Sequence, residues 1–229
     1  MIAELLVQQE GRLAVVGYKG SKKNSAKTAL YNPFRLLQVQ FKSGKGLHSL
    51  KSIDAIHTDI KLTGICLYCG FYLNELLCRL CQADAPYETL FAHYHLALKQ
   101  LTSISSISDK EIQSAAVELV LRKFEDTLLS ILGYELNFDV TMDTGLAIEA
   151  ELYYEVYEGG FVHTNFAQRG VLGKDIKGVE NLLRKESSEQ ELEASIKLHY
   201  LKQAKAILRA SLHRHLGDKP LKSRELFRK

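Results

Sequence analysis

An α+β fold is predicted, with a small antiparallel β barrel or sandwich at the N-terminal end and a mainly helical domain after it. Three observations carry this. Residues 2 to 57 alternate apolar and polar side chains between closely spaced glycine turns. From residue 62 the apolar period becomes that of a helix and stays so over several long segments. With 229 residues, 46% apolar and 25% charged, the chain is long enough to bury a substantial core in one or two domains.

The four predicted strands are IAELLVQ, RLAVVGYKG after the turn at Glu10-Gly11, FRLLQVQFKSG and LHSLKSIDAI. The segment GSKKNSAKTALYNP between the second and third is polar and basic. It is not a nucleotide-phosphate loop, because GxxxxGK[ST] fits neither Gly17 to Ser25 nor Ser43 to Ser49. The first helix, LTGICLYCGFYLNELLCRLCQAD, is apolar nearly all round, as in the centre of a bundle. Asp84-Ala85-Pro86 is expected to open a second helix through YETLFAHYHLALKQL. Ser108 and Glu111 have capping-box spacing ahead of a third helix that ends at Gly133. Residues 134 to 178 read as irregular apart from one hairpin, AELYYEVY and FVHTNF around Glu158-Gly159-Gly160. A last long helix, with Ser188 and Glu191 as a second capping box, runs to about Leu216, and DKPLKSRELFRK follows as a short basic end.

The net charge of +3 conceals an asymmetry. Residues 1 to 57 carry nine Lys/Arg against three Asp/Glu, residues 58 to 196 eleven against twenty-two, and residues 197 to 229 ten against two. Basic ends around an acidic middle suggest a polyanion-binding surface, although a basic terminus is also an ordinary solvated surface. On the last helix Lys202, Lys205, Arg209 and His213 share an arc of about 80°, beside a core-facing stripe of Leu201, Leu208 and Leu212. Lys219, Lys222, Arg224, Arg228 and Lys229 extend this basic ridge, and Arg35 adds a cation ahead of the third strand.

All four cysteines lie in CLYCGFYLNELLCRLC, two CxxC pairs eight residues apart. That spacing is a strong sequence signal for zinc. On a helix of 100° per residue, however, Cys69, Cys78 and Cys81 lie at about 300°, 120° and 60° from Cys66, and Cys66 and Cys81 stand about 22 Å apart along the axis. Four ligands of one zinc must come within about 2.3 Å of it. The cysteines are therefore expected to be small core side chains, with no metal and no redox role, since neither pair follows a strand in the thioredoxin manner. His93 and His95, like His213 and His215, are two apart on helices and point about 200° away from each other, which rules out joint ligation. There is no GxSxG elbow and no Ser/His/Asp or Cys/His constellation, and Glu149 with Glu151 reads as a solvated edge. A non-enzymatic protein without a catalytic residue or cofactor is the expectation. No stretch reaches the roughly 20 apolar residues of a membrane span and no signal peptide is evident, so a cytoplasmic location with no membrane partner is expected.

Five segments in order, EGRLAVVGYKGSKK, TGICLYCGFYLNELLCRL, LRKFEDTLLSILGYELNFD, LYYEVYEGGFV and GDKPLKSRELFRK, make the chain resemble the RecO family of bacterial DNA repair and recombination mediators, in its gammaproteobacterial branch. The resemblance runs nearly end to end. It implies an OB-fold-like DNA-binding domain at 1–57 and, at 58–229, a helical domain with an inserted hairpin and a basic C-terminal helix. It also implies binding of single- and double-stranded DNA, annealing of complementary strands, and recruitment of the C-terminal tail of the single-stranded DNA-binding protein. With RecR, such proteins load RecA, acting in the bacterial cytoplasm at the nucleoid. Lys19, Lys22, Lys23 and Lys27 would then line a loop of the OB module, joined in DNA binding by Arg35, Lys202, Lys205, Arg209, Lys222 and Arg224. Arg122, with Lys123 beside it, takes the position that in similar proteins contacts the tail of the single-stranded DNA-binding protein.

The chain departs from the family pattern in two places. A strand usually precedes the one at 2–7, and its absence means a misassigned start, a shortened chain or an open barrel. The four-cysteine zinc site of some branches would fall in NFDVTMDTGLAIEAELYYE, which has no cysteine, so that site is absent. Two other classes remain as alternatives: a helical scaffold without direct DNA binding, and a zinc-dependent enzyme built on the cysteine cluster.

Overall fold

The structure, a computed structural model, describes residues 1–17, 26–56, 60–184 and 194–228. The chain divides into two compact units, Met1–Ser106 with Leu221–Lys229, and Ile107–Pro220. The architecture is mixed α+β, an N-terminal sheet followed by a helical region that carries a second, smaller sheet.

In the first unit, strands β1 (Ile2–Val7), β2 (Gly11–Val16), β3 (Leu37–Lys42) and β4 (His48–Ala55) form one sheet in the order β1-β2-β4-β3. These are the four strands expected from the alternation. The β1-β2 and β3-β4 pairs are antiparallel, β2 and β4 meet in parallel at Val15 and Val16, and a register shift at Gln40/Phe41 bends β3. The short helix α1 (Ala26–Ala29) stands between β2 and β3. Leu13 and Val15 point from β2 into the core.

Helix α2 (Gly64–Leu80) runs unbroken through Cys66, Cys69 and Cys78 and ends just before Cys81, its extended C-cap. Cys66, Cys69, Tyr72, Leu73, Leu76 and Leu77 are buried along it. Gly70 is there because a Cβ would stand 2.6 Å from Leu62 and 2.8 Å from the Phe34 ring. The next helix, α3 (Leu90–Ile104), begins four residues later than Asp84-Ala85-Pro86 suggested. The competing use of those residues is visible. Ala83 forms a bridge with Arg12, the Asp84 N–H donates to the Arg12 carbonyl at 3.0 Å, and Asp84 takes a φ of 59°. Arg12 Nε donates to the Cys81 carbonyl at 3.0 Å, and His48 meets the Asp84 carboxylate at 2.7 Å. The segment is drawn into contact with the sheet before it can turn into a helix.

The basic C-terminal end is ordered as a 3-10 helix, Lys222–Arg228. The Glu75 carboxylate on α2 accepts the Lys222 N–H at 2.9 Å, the Ser223 N–H at 2.8 Å and the Ser223 hydroxyl at 2.6 Å. A carboxylate thus satisfies the free donors at a helix start. Burial alone would push Glu75 up, but the Ser223 and Lys222 donors and the Arg79 charge outweigh it and hold the carboxyl below its ordinary value. A depressed carboxyl contributes stability that is present above its unfolded value and lost as pH falls through its folded one. The hydrogen-exchange protection of the Ser223 amide is therefore expected to fall in Glu75→Gln, and to fall in the natural protein on acidification below the ordinary carboxylate range. Equal protection in both proteins at neutral pH would contradict this docking.

The second unit is built on α4 (Lys110–Ile131), α5 (Gly173–Arg184) and α6 (Ala194–Leu216), which pack on one another. The cap of α4 is Asp109 and not Ser108: its carboxylate accepts the N–H groups of Glu111 at 2.9 Å and Ile112 at 3.0 Å. One carboxylate oxygen satisfies two of the free N–H groups at the helix start. The Ser188/Glu191 box lies outside the described residues. The expected hairpin is β5 (Tyr153–Tyr157) with β6 (Gly160–Thr164), paired from Tyr153↔Thr164 to Tyr157↔Gly160. A two-residue strand, β7 (Val171–Leu172), adds to the other edge of β5. Helix α5 was not expected. Its two glycines hid it, and Gly178 serves packing, since a Cβ there would lie 2.2 Å from the Tyr200 ring of α6.

Candidate nucleic-acid interface

Helix α6 carries the predicted ridge. Leu201, Ala204, Ile207, Leu208 and Leu212 are buried, which anchors one side. On the opposite side Lys202 and Arg209 are exposed and make no ion pair among the described residues, whereas the Lys205 ammonium is committed to Glu118 of α4. His213 is exposed one turn beyond Arg209. Lys202 and Arg209 are thus the cations that a phosphate chain could neutralise without first breaking an internal pair.

The remaining candidates belong to other elements. Lys19, Lys22 and Lys23 lie outside the described residues, as does the side chain of Lys27 in α1. Arg35 is exposed just ahead of β3. Lys222 is exposed and Arg224 half-buried on the C-terminal 3-10 helix.

Arg122 is not a surface cation. Its side chain is 3% exposed and pairs at 2.8 Å with Glu125, itself 0% exposed, while Glu118 lies 3.8 Å from Nε. Among the described residues Nε and Nη1 have no hydrogen-bond partner, and both are buried. Lys123 is half-buried beside it. A second buried acid, Asp126, is pushed up by burial, against the pull of Arg184, whose Nε stands 3.4 Å away.

Among the described residues no three His, Cys, Asp or Glu side chains gather as a metal site. Cys66, Cys69 and Cys81 are buried and Cys78 is exposed. Burial pushes the Cys81 thiol up to about 11 and raises Cys78 as well. Only the thiolate is a ligand or nucleophile, so both are poorly disposed to either role at neutral pH. Glu149 and Glu151 are both exposed.

Two arginine-backed aromatic rings and a stacked Tyr–His pair in the second unit are not predicted from the sequence. The Arg214 guanidinium lies 4.9 Å from the Tyr157 ring centre, Arg169 lies 5.6 Å from that of Phe166, and Tyr134 stacks on His215 at 3.8 Å. The Phe166/Arg169 spacing and the tyrosine-rich hairpin were the sequence signals for them.

A strand module, a helical region and an exposed cationic face on the last helix define an α+β protein with no assembled catalytic constellation among its described residues. Residues 63–225 match the family model described as recombination protein O C terminal. The chain is 32% identical over 230 residues to the DNA repair protein RecO of Hamiltonella defensa, covering 100% of this chain and 90% of that protein. It is 31% identical over 229 residues to that of Haemophilus influenzae (99% and 88%) and 32% over 228 residues to that of Aliivibrio fischeri (99% and 88%). The chain belongs to the RecO family of DNA repair and recombination proteins. Among the described residues no helix is long and apolar enough to cross a membrane.

Proposed function

We propose that the protein is a non-enzymatic recombination mediator of the bacterial cytoplasm. It binds single- and double-stranded DNA, anneals complementary strands, and with RecR helps to load RecA onto DNA coated by the single-stranded DNA-binding protein. The observation that carries this reading, beyond family membership, is the exposed and internally unpaired Lys202 and Arg209 on an anchored helix. Each such cation releases condensed counterions when it meets a phosphate, which is the main source of sequence-independent affinity. Annealing needs that sequence independence, because both strands must be held whatever they encode. Arg35, Lys222 and Arg224, with Lys19, Lys22, Lys23 and Lys27, extend the same role.

The tail of the single-stranded DNA-binding protein is assigned to Arg122 and Lys123. What supports this is the pair of unused Arg122 donors: a buried guanidinium with orphan N–H groups is costly, and a carboxylate that reached it would satisfy them in the geometry arginine favours. The burial of Arg122 means that neighbouring side chains must move aside for the tail.

Charge reversal tests the DNA reading. Lys202→Glu with Arg209→Glu is expected to slow annealing of complementary oligonucleotides at least tenfold at low salt, with thermal unfolding unchanged because both side chains are exposed. Annealing at the natural rate by a folded double variant would remove α6 from the interface.

A further inference from the structure

We infer that the Tyr157 ring and its neighbours form a base-stacking platform for single-stranded nucleic acid, held by the end of α6 against the β5-β6 hairpin. This rests on the DNA-binding reading above and goes beyond it, because phosphate neutralisation alone requires no aromatic residue.

Tyr157 is 54% exposed although it sits in a five-residue strand whose neighbour Tyr154 is 1% exposed. Arg214 covers one face of its ring at 4.9 Å, and the same guanidinium is fixed by a 2.7 Å hydrogen bond from Nη2 to the Val156 carbonyl. The ring therefore has a rigid cationic backing on one face while half its surface is open to solvent. The next residue of α6, His215, stacks on Tyr134 at 3.8 Å and 17°, and Tyr134 is 40% exposed. Burial pushes His215 down, with Glu158 opposing and Arg214 assisting, so it stacks as a neutral ring at neutral pH. Two consecutive side chains of one helix thus hold two partly open aromatic rings.

The chemistry of the surface selects the occupant. An exposed single aromatic is commonplace, but an aromatic ring held by arginine on one side and open to solvent is an arrangement on which unpaired bases stack without regard to sequence. Lys202 and Arg209, which make no ion pair among the described residues, lie with His213 about 100–140° around the same helix from Arg214, so a strand that contacts both crosses the helix. Glu158 and Glu155 on the hairpin disfavour phosphate at the platform itself, which fits bases lying on the rings and phosphates lying on α6. In a duplex the bases face one another and cannot reach the rings, so the platform favours single strands.

The test is fluorescence-anisotropy titration of a labelled thymidine oligonucleotide and of a duplex of equal length, with the full chain, at several salt concentrations. Tyr157→Ala is expected to weaken single-strand binding by about 5- to 150-fold, the range for loss of one stacked base, with the salt slope and duplex affinity unchanged. Tyr157→Trp is expected to restore binding. If the natural protein binds neither nucleic acid at low salt, the DNA-binding reading itself falls and this inference with it. If the natural protein binds but Tyr157→Ala binds single strands equally well, or loses single strand and duplex alike, the platform alone is overturned.

Discussion

Arg122→Ala is expected to cost the protein about 3–5 kcal/mol, the loss seen when one partner of a buried ion pair is removed. Glu125 is 0% exposed and would lose the guanidinium that stands 2.8 Å from it, with the cavity of that side chain beside it. Replacing both partners by uncharged residues, Arg122→Met with Glu125→Gln, is expected to recover most of that stability, because neither charge then has to be desolvated. Urea unfolding of the three proteins checks this: similar midpoints for the natural protein and the single variant would mean that the pair is not desolvated. The double variant also separates fold from function. It is expected to bind DNA normally and to lose the terminal peptide of the single-stranded DNA-binding protein, whereas retention of the peptide would take Arg122 out of that interaction.

The second large effect is expected at Gly11, where two penalties coincide. Its φ of +76° is a left-handed conformation, and a Cβ would stand 1.9 Å from the Ala85 carbonyl oxygen. The first costs an L-residue about 1–2 kcal/mol. The second meets backbone, which cannot turn aside as a side chain would, and overpacking typically adds about 1–3 kcal/mol. Gly133 is the internal control, with φ +82° and nothing within 4 Å of its Cβ position. Gly133→Ala is expected to show only the conformational cost. Equal losses at the two sites would mean that the contact between β2 and the Ala83–Pro86 connection contributes nothing.

That connection also shows where the sequence was readable and where it was not. The four strands of the first sheet, the unbroken α2 and the hairpin around Glu158-Gly159 were legible because each is a local pattern: alternation, all-round apolarity, a two-residue glycine turn. Asp84-Ala85-Pro86 misled because its local preference for a helix start is overruled by Arg12, sixty-nine residues before the carbonyl of Cys81 that it binds. Helix α5 was hidden by Gly178, a weak helix former locally but required by the Tyr200 ring. The same limit applies to the site. Lys202, Arg209 and the leucine stripe followed from helical spacing, but the commitment of Lys205 to Glu118 depends on α4 and α6 lying together. In LRKFEDTLL an arginine reads as surface, and only the burial of Glu125 three residues on reveals otherwise. The cysteines are the opposite case, since helical spacing separates Cys66 from the later pair, and α2 carries Cys66, Cys69 and Cys78 and ends at Leu80, with Cys81 as its extended C-cap.

On the proposed function, this RecO-family chain holds DNA by neutralising phosphates, with Lys202 and Arg209 of α6 among the contacts. The most direct measurement is the salt dependence of duplex binding by the natural protein and by the Lys202→Glu, Arg209→Glu variant. Affinity should fall linearly on a log–log plot, with a slope of roughly −0.9 per phosphate neutralised on duplex DNA, and the variant should lose about two contacts' worth of that slope. Binding that ignores salt, or identical slopes in the two proteins, would contradict it.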